Sequence, residues 1–190
     1  MLHPTKAKKE GRREKERFEM SIHAQTTAPS TGTAYKVLSS PNGTLFEILA
    51  APEEVGDGIC LIRWTVPPGV EVPLHSHSDL EIFYILEGSL EIFQSKEGAS
   101  GWTTVGVGAV LAVPGNVKHA LRNNSSLPAT LALVTTSRMY EFFREVSQPF
   151  DPGRPVSPTQ DEKRKFFATV ARYGYWMASP EENAAIGIRL

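Results

Sequence analysis

Between Tyr35 and Thr136 the chain alternates short apolar runs with turn residues. TLFEILAA follows a Pro-Asn-Gly turn and ICLIRWTV follows Gly-Asp-Gly. EIFYILEG, SLEIFQS, WTTV, GAVLAVP, KHALRN and ATLALVTT continue the series. β-Branched and aromatic residues dominate these runs. Turn signals return about every 8 to 12 residues, and no segment between them is long enough for a crossover helix. This pattern predicts an all-β antiparallel sandwich or barrel.

Beyond Thr136 the period changes. SRMYEFFREV places Met139, Phe142, Phe143 and Val146 at helical spacing behind Ser137 as N-cap. After the proline-rich PFDPGRPVSP, Thr159 and Glu162 form a capping box. Phe166, Val170 and Tyr173 then make an apolar stripe that Gly174 ends. SPEE at residues 179–182 repeats the start signal, with Pro180 in the first helical position. At the other end, residues 1–33 read as a flexible tail, because KAKKEGRREKERFE and SIHAQTTAPSTGT hold too little apolar surface to order themselves. The organisation predicted is a tail at 1–33, a barrel at 34–136 and a helical extension at 137–190 packed on it.

Composition narrows the function classes. A net charge of −1 over 190 residues gives no electrostatic reason to expect nucleic acid or a membrane surface as partner. Cys60 is the only cysteine, so no intrachain disulfide forms, and the N-terminus shows no secretory apolar stretch. The expected location is the cytoplasm. No Ser-His-Asp order, phosphate-binding glycine loop or CxxC pair appears in the chain.

The candidate chemistry lies in HSHSDLEIFYILEG, residues 75–88. Side chains two apart on a strand share a face, so His75 and His77 point the same way. Glu81, after the SDL turn, begins the next strand, and Phe83 and Ile85 continue its face inward. An isolated ionised carboxylate there would be costly, and a cation compensates it. His119 follows the tight Pro114-Gly115-Asn116 turn, so all three histidines are read as strand-start positions. Three imidazoles and a carboxylate suit Fe, Mn, Ni, Co, Cu or Zn.

Gly69, His75, His77, Glu81 and Gly88, at their spacings, resemble the first signature of the cupins. Gly108, Pro114, His119 and Asn123 resemble the second, with Asn116 where a turn glycine is usual. Asparagine tolerates a left-handed backbone best after glycine, so the turn is expected to survive. The resemblance covers about residues 35–136. The C-terminal extension is more weakly similar to the tails of small single-domain, quercetin-dioxygenase-like cupins.

The resemblance implies a double-stranded β-helix, a jelly-roll barrel. It implies one divalent transition metal, iron first among the candidates, on His75, His77, Glu81 and His119. It also implies a homodimer and a small-molecule substrate. The leading expectation is a dioxygenase-type oxidoreductase acting on an aromatic or enolic substrate, with Glu81 as general base if it leaves the metal. A decarboxylase, an isomerase and a non-enzymatic metal-dependent binder or sensor are the alternatives. Trp64, Phe83, Ile85 and Leu121, with Phe46 and Ile48, are candidate pocket residues, and Met139, Tyr140, Phe142 and Phe143 a candidate lid. Strand aromatics are more often plain core, however. Arg63 and Arg122 are candidates for a substrate carboxylate or for solvated surface. Asn123 is read as a structural hydrogen-bonder and Cys60 as a buried small hydrophobe.

Overall fold

The computed structural model describes residues 37–189, apart from residues 57, 96, 97, 99 and 154–156. The expected tail at 1–33 lies outside the described residues. In chain order the strands are β1 (Val37–Ser39), β2 (Leu45–Ala50), β3 (Ile59–Val66), β4 (Glu71–Ser76), β5 (Glu81–Glu87) and β6 (Ser89–Gln94). They continue with β7 (Gly101–Gly106), β8 (Val110–Val113), β9 (His119–Arg122), β10 (Ala129–Thr136), β11 (Gln148–Pro149) and β12 (Trp176–Met177). The helices are α1 (Pro52–Val55), α2 (Ser137–Val146), α3 (Gln160–Arg172) and α4 (Pro180–Ala185).

The strands form two antiparallel sheets, ordered β11-β1-β2-β3-β10-β5-β8 and β12-β4-β9-β6-β7. From β3 onward the chain repeatedly crosses from one sheet to the other, which is the winding of a jelly roll. The all-β barrel expected from the closely spaced strand-like runs is therefore the fold. Alternation also builds the core: every second residue of β3 and β10 is buried, and Glu81, Phe83 and Ile85 share the buried face of β5. Ile62, Trp64, Val66, Leu90, Ile92, Leu131 and Leu133 meet these between the sheets. Each contributes roughly 1.5–3 kcal/mol by leaving water.

The C-terminal segment extends both sheets. Strand β11 pairs with β1, and β12 pairs with β4 so that Met177 lies opposite His75. The capping boxes at Thr159/Glu162 and Ser179/Glu182 form as expected, and Gly174 takes a left-handed φ of 65° after α3. The first of the three caps is shifted: the N-cap of α2 is Thr136, whose hydroxyl accepts from Met139 N, rather than Ser137. Thr136 still has strand geometry, so it ends β10 and caps the helix at once. Asn116 adopts φ 66°, the left-handed backbone its residue type permits.

Candidate metal centre

Three strand ends converge to make the centre. His75 lies near the end of β4 and His77 one residue beyond it, while Glu81 and His119 open β5 and β9. Only His119 and Glu81 thus occupy strand starts; the first two histidines arrive at a strand end. Strand β4 reads poorly as a strand because Pro73 interrupts it. A proline donates no ladder hydrogen bond, and here it falls where the β4–β9 register slips between Val72 and His75. That slip still leaves His75 directly across from His119.

The ligand atoms of His75, His77 and His119 all lie within 4.8 Å of one another. Each ring is aimed by its own local bond. His75 Nδ1 contacts Pro73 O at 2.7 Å, His77 Nδ1 contacts Asp79 O at 3.0 Å, and His119 Nδ1 contacts Val117 O at 2.8 Å. A carbonyl oxygen only accepts, so each Nδ1 carries the proton and each Nε2 presents a lone pair. His77 Nε2 and His119 Nε2 are buried and make no hydrogen bond. Glu81 Oε2 lies 3.0 Å from His119 Nε2 and 3.8 Å from His77 Nε2. With protons on Nδ1, these are buried acceptors facing acceptors, and a proton or a metal cation relieves them.

The electrostatics follow from this crowding. Burial, reinforced by the neighbouring His119 and His77, pushes the His75 pKa down to about 3. Burial likewise lowers that of His77, against the pull of Glu81. Burial also opposes charge on His119, but the Glu81 carboxylate overrides it and raises the His119 pKa. Burial opposes charge on Glu81 as well, but the facing His119 and the other two imidazoles outweigh it and hold its pKa below the usual carboxylate range. Neutral His75 and His77 and an ionised Glu81 are the protonation states a divalent ion requires, and the donor set of three nitrogens and one oxygen suits first-row metals. The residues therefore fit the metal.

Above the four side chains opens a cavity of about 720 Å³, into which His75, His77, Glu81 and His119 all face. Phe46, Trp64, Phe83 and Leu121 line it from the barrel. Ile85 does not: it is 1% exposed and packs deeper, in the core between the sheets, and Ile48 packs against that core too. The opposite wall comes from beyond the barrel. Met139, Phe142 and Phe143 of α2, Phe166, Phe167 and Val170 of α3, and Tyr175 complete it. Tyr140, on the other side of α2, belongs to the barrel core.

Other candidates resolve into structure. Arg63 pairs with Glu47 at 2.8 Å, and Arg122 pairs with Glu91 at 2.6 Å while covering the Trp102 ring, so neither lines the cavity. Asn123 is fully buried and donates to Val66 O and Leu127 O, each at 2.9 Å. Cys60 is buried, and desolvation raises its pKa to about 11.

The sequence reading missed Asp79. Its buried carboxylate accepts from Tyr175 Oη at 2.7 Å, from Arg138 Nη1 at 3.3 Å and from the Thr136 hydroxyl. Its one local signal was position, between the second and third proposed ligands, His77 and Glu81; its carboxylate's partners come from 57 or more residues away.

Residues 62–135, which hold all four side chains of the centre, match the family described as Cupin domain. This segment of the chain is a cupin domain. Solved structures similar to this cupin include DMSP lyases RdDddP and RnDddQII, at 16% identity over 49% of this chain and 47% of that one, TM-score 0.43. DMSP lyase DddQ from Ruegeria pomeroyi DSS-3 is 26% identical over 43% of this chain and 39% of its own, TM-score 0.38. The cupin therefore spans less than half the length of either. The polyketide cyclase RemF from Streptomyces resistomycificus is 18% identical over 76% and 99% of the two chains, TM-score 0.48. No curated protein matches this cupin in sequence. Among the described residues, no helix is long and apolar enough to cross a membrane.

Proposed function

We propose that this cupin is a mononuclear metalloenzyme, an oxidoreductase of the dioxygenase type that acts on a small aromatic or enolic molecule. The observation that carries the reading is the placement of three imidazoles, two of them with a buried nitrogen that makes no hydrogen bond, and one carboxylate in the wall of a large apolar cavity. A divalent ion held by neutral histidines and one carboxylate keeps one net positive charge. In an apolar setting an enolate or phenolate oxygen balances that charge best. When bound, the metal supplies Lewis acidity toward such an oxygen and a route for electrons to O2. The aromatic walls exclude water and orient a flat substrate by stacking. Glu81 would take a proton from a substrate hydroxyl only on leaving the metal, and the imidazoles that hold its pKa low favour it as a ligand.

The test is O2 uptake by the Fe(II)-loaded protein with a panel of flavonols, catechols and diketones. Substrate-dependent uptake supports the reading. Metal-dependent turnover of the same compounds without O2 would move the protein to the decarboxylases, lyases or isomerases. Binding without turnover would make it a sensor.

The reading includes a second copy of the chain as partner, within the cytoplasm. Ile82 and Tyr84 on β5 and Val110 on β8 are apolar and exposed on paired strands, which supports a homodimer. Sedimentation equilibrium of wild type and Tyr84→Lys tests it, with the lysine expected to shift the protein toward monomer.

A further inference from the structure

Residues 77–80 are held from two directions. On the barrel side, Asn116 N donates to His77 O at 2.6 Å and the Thr135 hydroxyl donates to Leu80 O at 2.7 Å. On the other side the contacts come from beyond the barrel. Arg138 Nη1 donates to Ser78 Oγ at 2.9 Å and reaches the Asp79 carboxylate, while its other nitrogen donates to Tyr173 O. Tyr175 Oη donates to Asp79 Oδ2 at 2.7 Å, and its ring lies 5.2 Å from that of His77.

Asp79 is the hub of this arrangement because it acts with both of its ends. Its carboxylate collects three donors, from Thr136, Arg138 and Tyr175, and is 4% exposed. Its main-chain oxygen accepts the Nδ1 proton of His77. Rotation of residue 79 would therefore break the carboxylate's bonds and the ring's bond together. Without a carbonyl at Nδ1, a neutral imidazole is free to move its proton to Nε2, the atom the metal needs. A His ligand whose second nitrogen loses its partner typically binds metal 10–100-fold more weakly.

We propose that Asp79 is the positioning residue for His77, and that Tyr175 and Arg138, from outside the barrel signatures, lock it in place for that task. The C-terminal segment is then part of the metal centre as well as a wall of the cavity. The four-ligand motif alone would leave His77 in a mixture of tautomers.

The test uses the full chain and three variants. Tyr175→Phe removes one hydroxyl and keeps the ring; Asp79→Asn puts an amide donor among donors. Trp102→Phe is the control: it removes the bond from Trp102 Nε1 to Ile186 O, a C-terminal anchor on β7, at the edge of the five-stranded sheet opposite β12. Two quantities are read. The first is the His77 tautomer in metal-free protein, by long-range 1H–15N correlation. The second is Zn(II) affinity, by competition with a chelator.

In wild type and Trp102→Phe, His77 is expected as the Nδ1–H form with equal Zn(II) affinity. Tyr175→Phe is expected to show Nε2–H signal and to lose about tenfold in Zn(II) affinity, with Asp79→Asn losing more. If Tyr175→Phe keeps the wild-type tautomer and affinity, the proposal is overturned and the network is only a fastening. The tautomer readout needs no metal. A wild type that bound no Zn(II) would sink the metalloenzyme reading while the His77 signal still decided this one.

Discussion

His119 Nε2 and Glu81 Oε2 stand 3.0 Å apart, both side chains buried, with the His119 ring already donating its Nδ1 proton to Val117 O. In the metal-free protein a proton on Nε2 makes this contact favourable, which is why the His119 pKa is raised. A divalent cation would take the place of that proton.

The centre therefore has a pH signature in chelator-treated protein. His75 and His77, with folded pKa values below the ordinary 6.5, contribute stability that is present above that value and lost as pH falls beneath it. His119 has the opposite sign: its contribution is present below 6.5 and lost as pH rises through its elevated folded value. Glu81 adds an acid loss only below its ordinary value of about 4.5. Denaturant unfolding at half-unit steps should show stability falling from pH 6.5 to 4.5, ahead of the bulk of the carboxylates. Stability that rises or stays level across that window would contradict these assignments.

Gly115 sets the turn that meets the ligand loop. A Cβ on it would fall 2.2 Å from Ser78 O, a backbone atom with no flexible side chain to yield. Gly115→Ala should therefore displace the His77–Asp79 turn and cost more than about 2 kcal/mol, within the range of severe single substitutions. Urea unfolding reads the cost, and Zn(II) affinity should fall with it. An unchanged midpoint would show that the turn can move freely.

Asn123 is expected to matter for stability alone. Its amide nitrogen bonds Val66 O and Leu127 O, and its oxygen accepts from Ser125 N at 3.0 Å and Ser125 Oγ at 2.7 Å. Asn123→Ala removes all four bonds, including the one to buried Val66 O, at a cost of roughly 1–3 kcal/mol. Metal stoichiometry should be unchanged. Loss of metal at unaltered stability would instead place Asn123 in the site.

Those residues also show how much was legible beforehand. His75, His77, Glu81 and His119 could be grouped because strand parity and fixed spacing report directly on which side chains share a face. Two of the three cap positions were readable for a similar reason: Thr159/Glu162 and Ser179/Glu182 satisfy their own local backbone. Strand β4 was obscured by Pro73, and β11 and β12, two residues each, are too short to carry a period. The Asp79–Tyr175 bond joins residues 96 apart and leaves no local trace in either. Ile85 was misplaced because parity gives the face of a strand but not the depth, and the cavity ends above it.

The central claim is that this barrel holds a metal on His75, His77, Glu81 and His119. Its most direct test is metal content by mass spectrometry, for wild type and His77→Ala, purified anaerobically without an affinity histidine tag or chelator. The account predicts near-stoichiometric transition metal in the wild type and its loss in the variant. Metal-free protein in both, with a melting temperature unmoved by added Fe(II), Mn(II) or Zn(II), would contradict it.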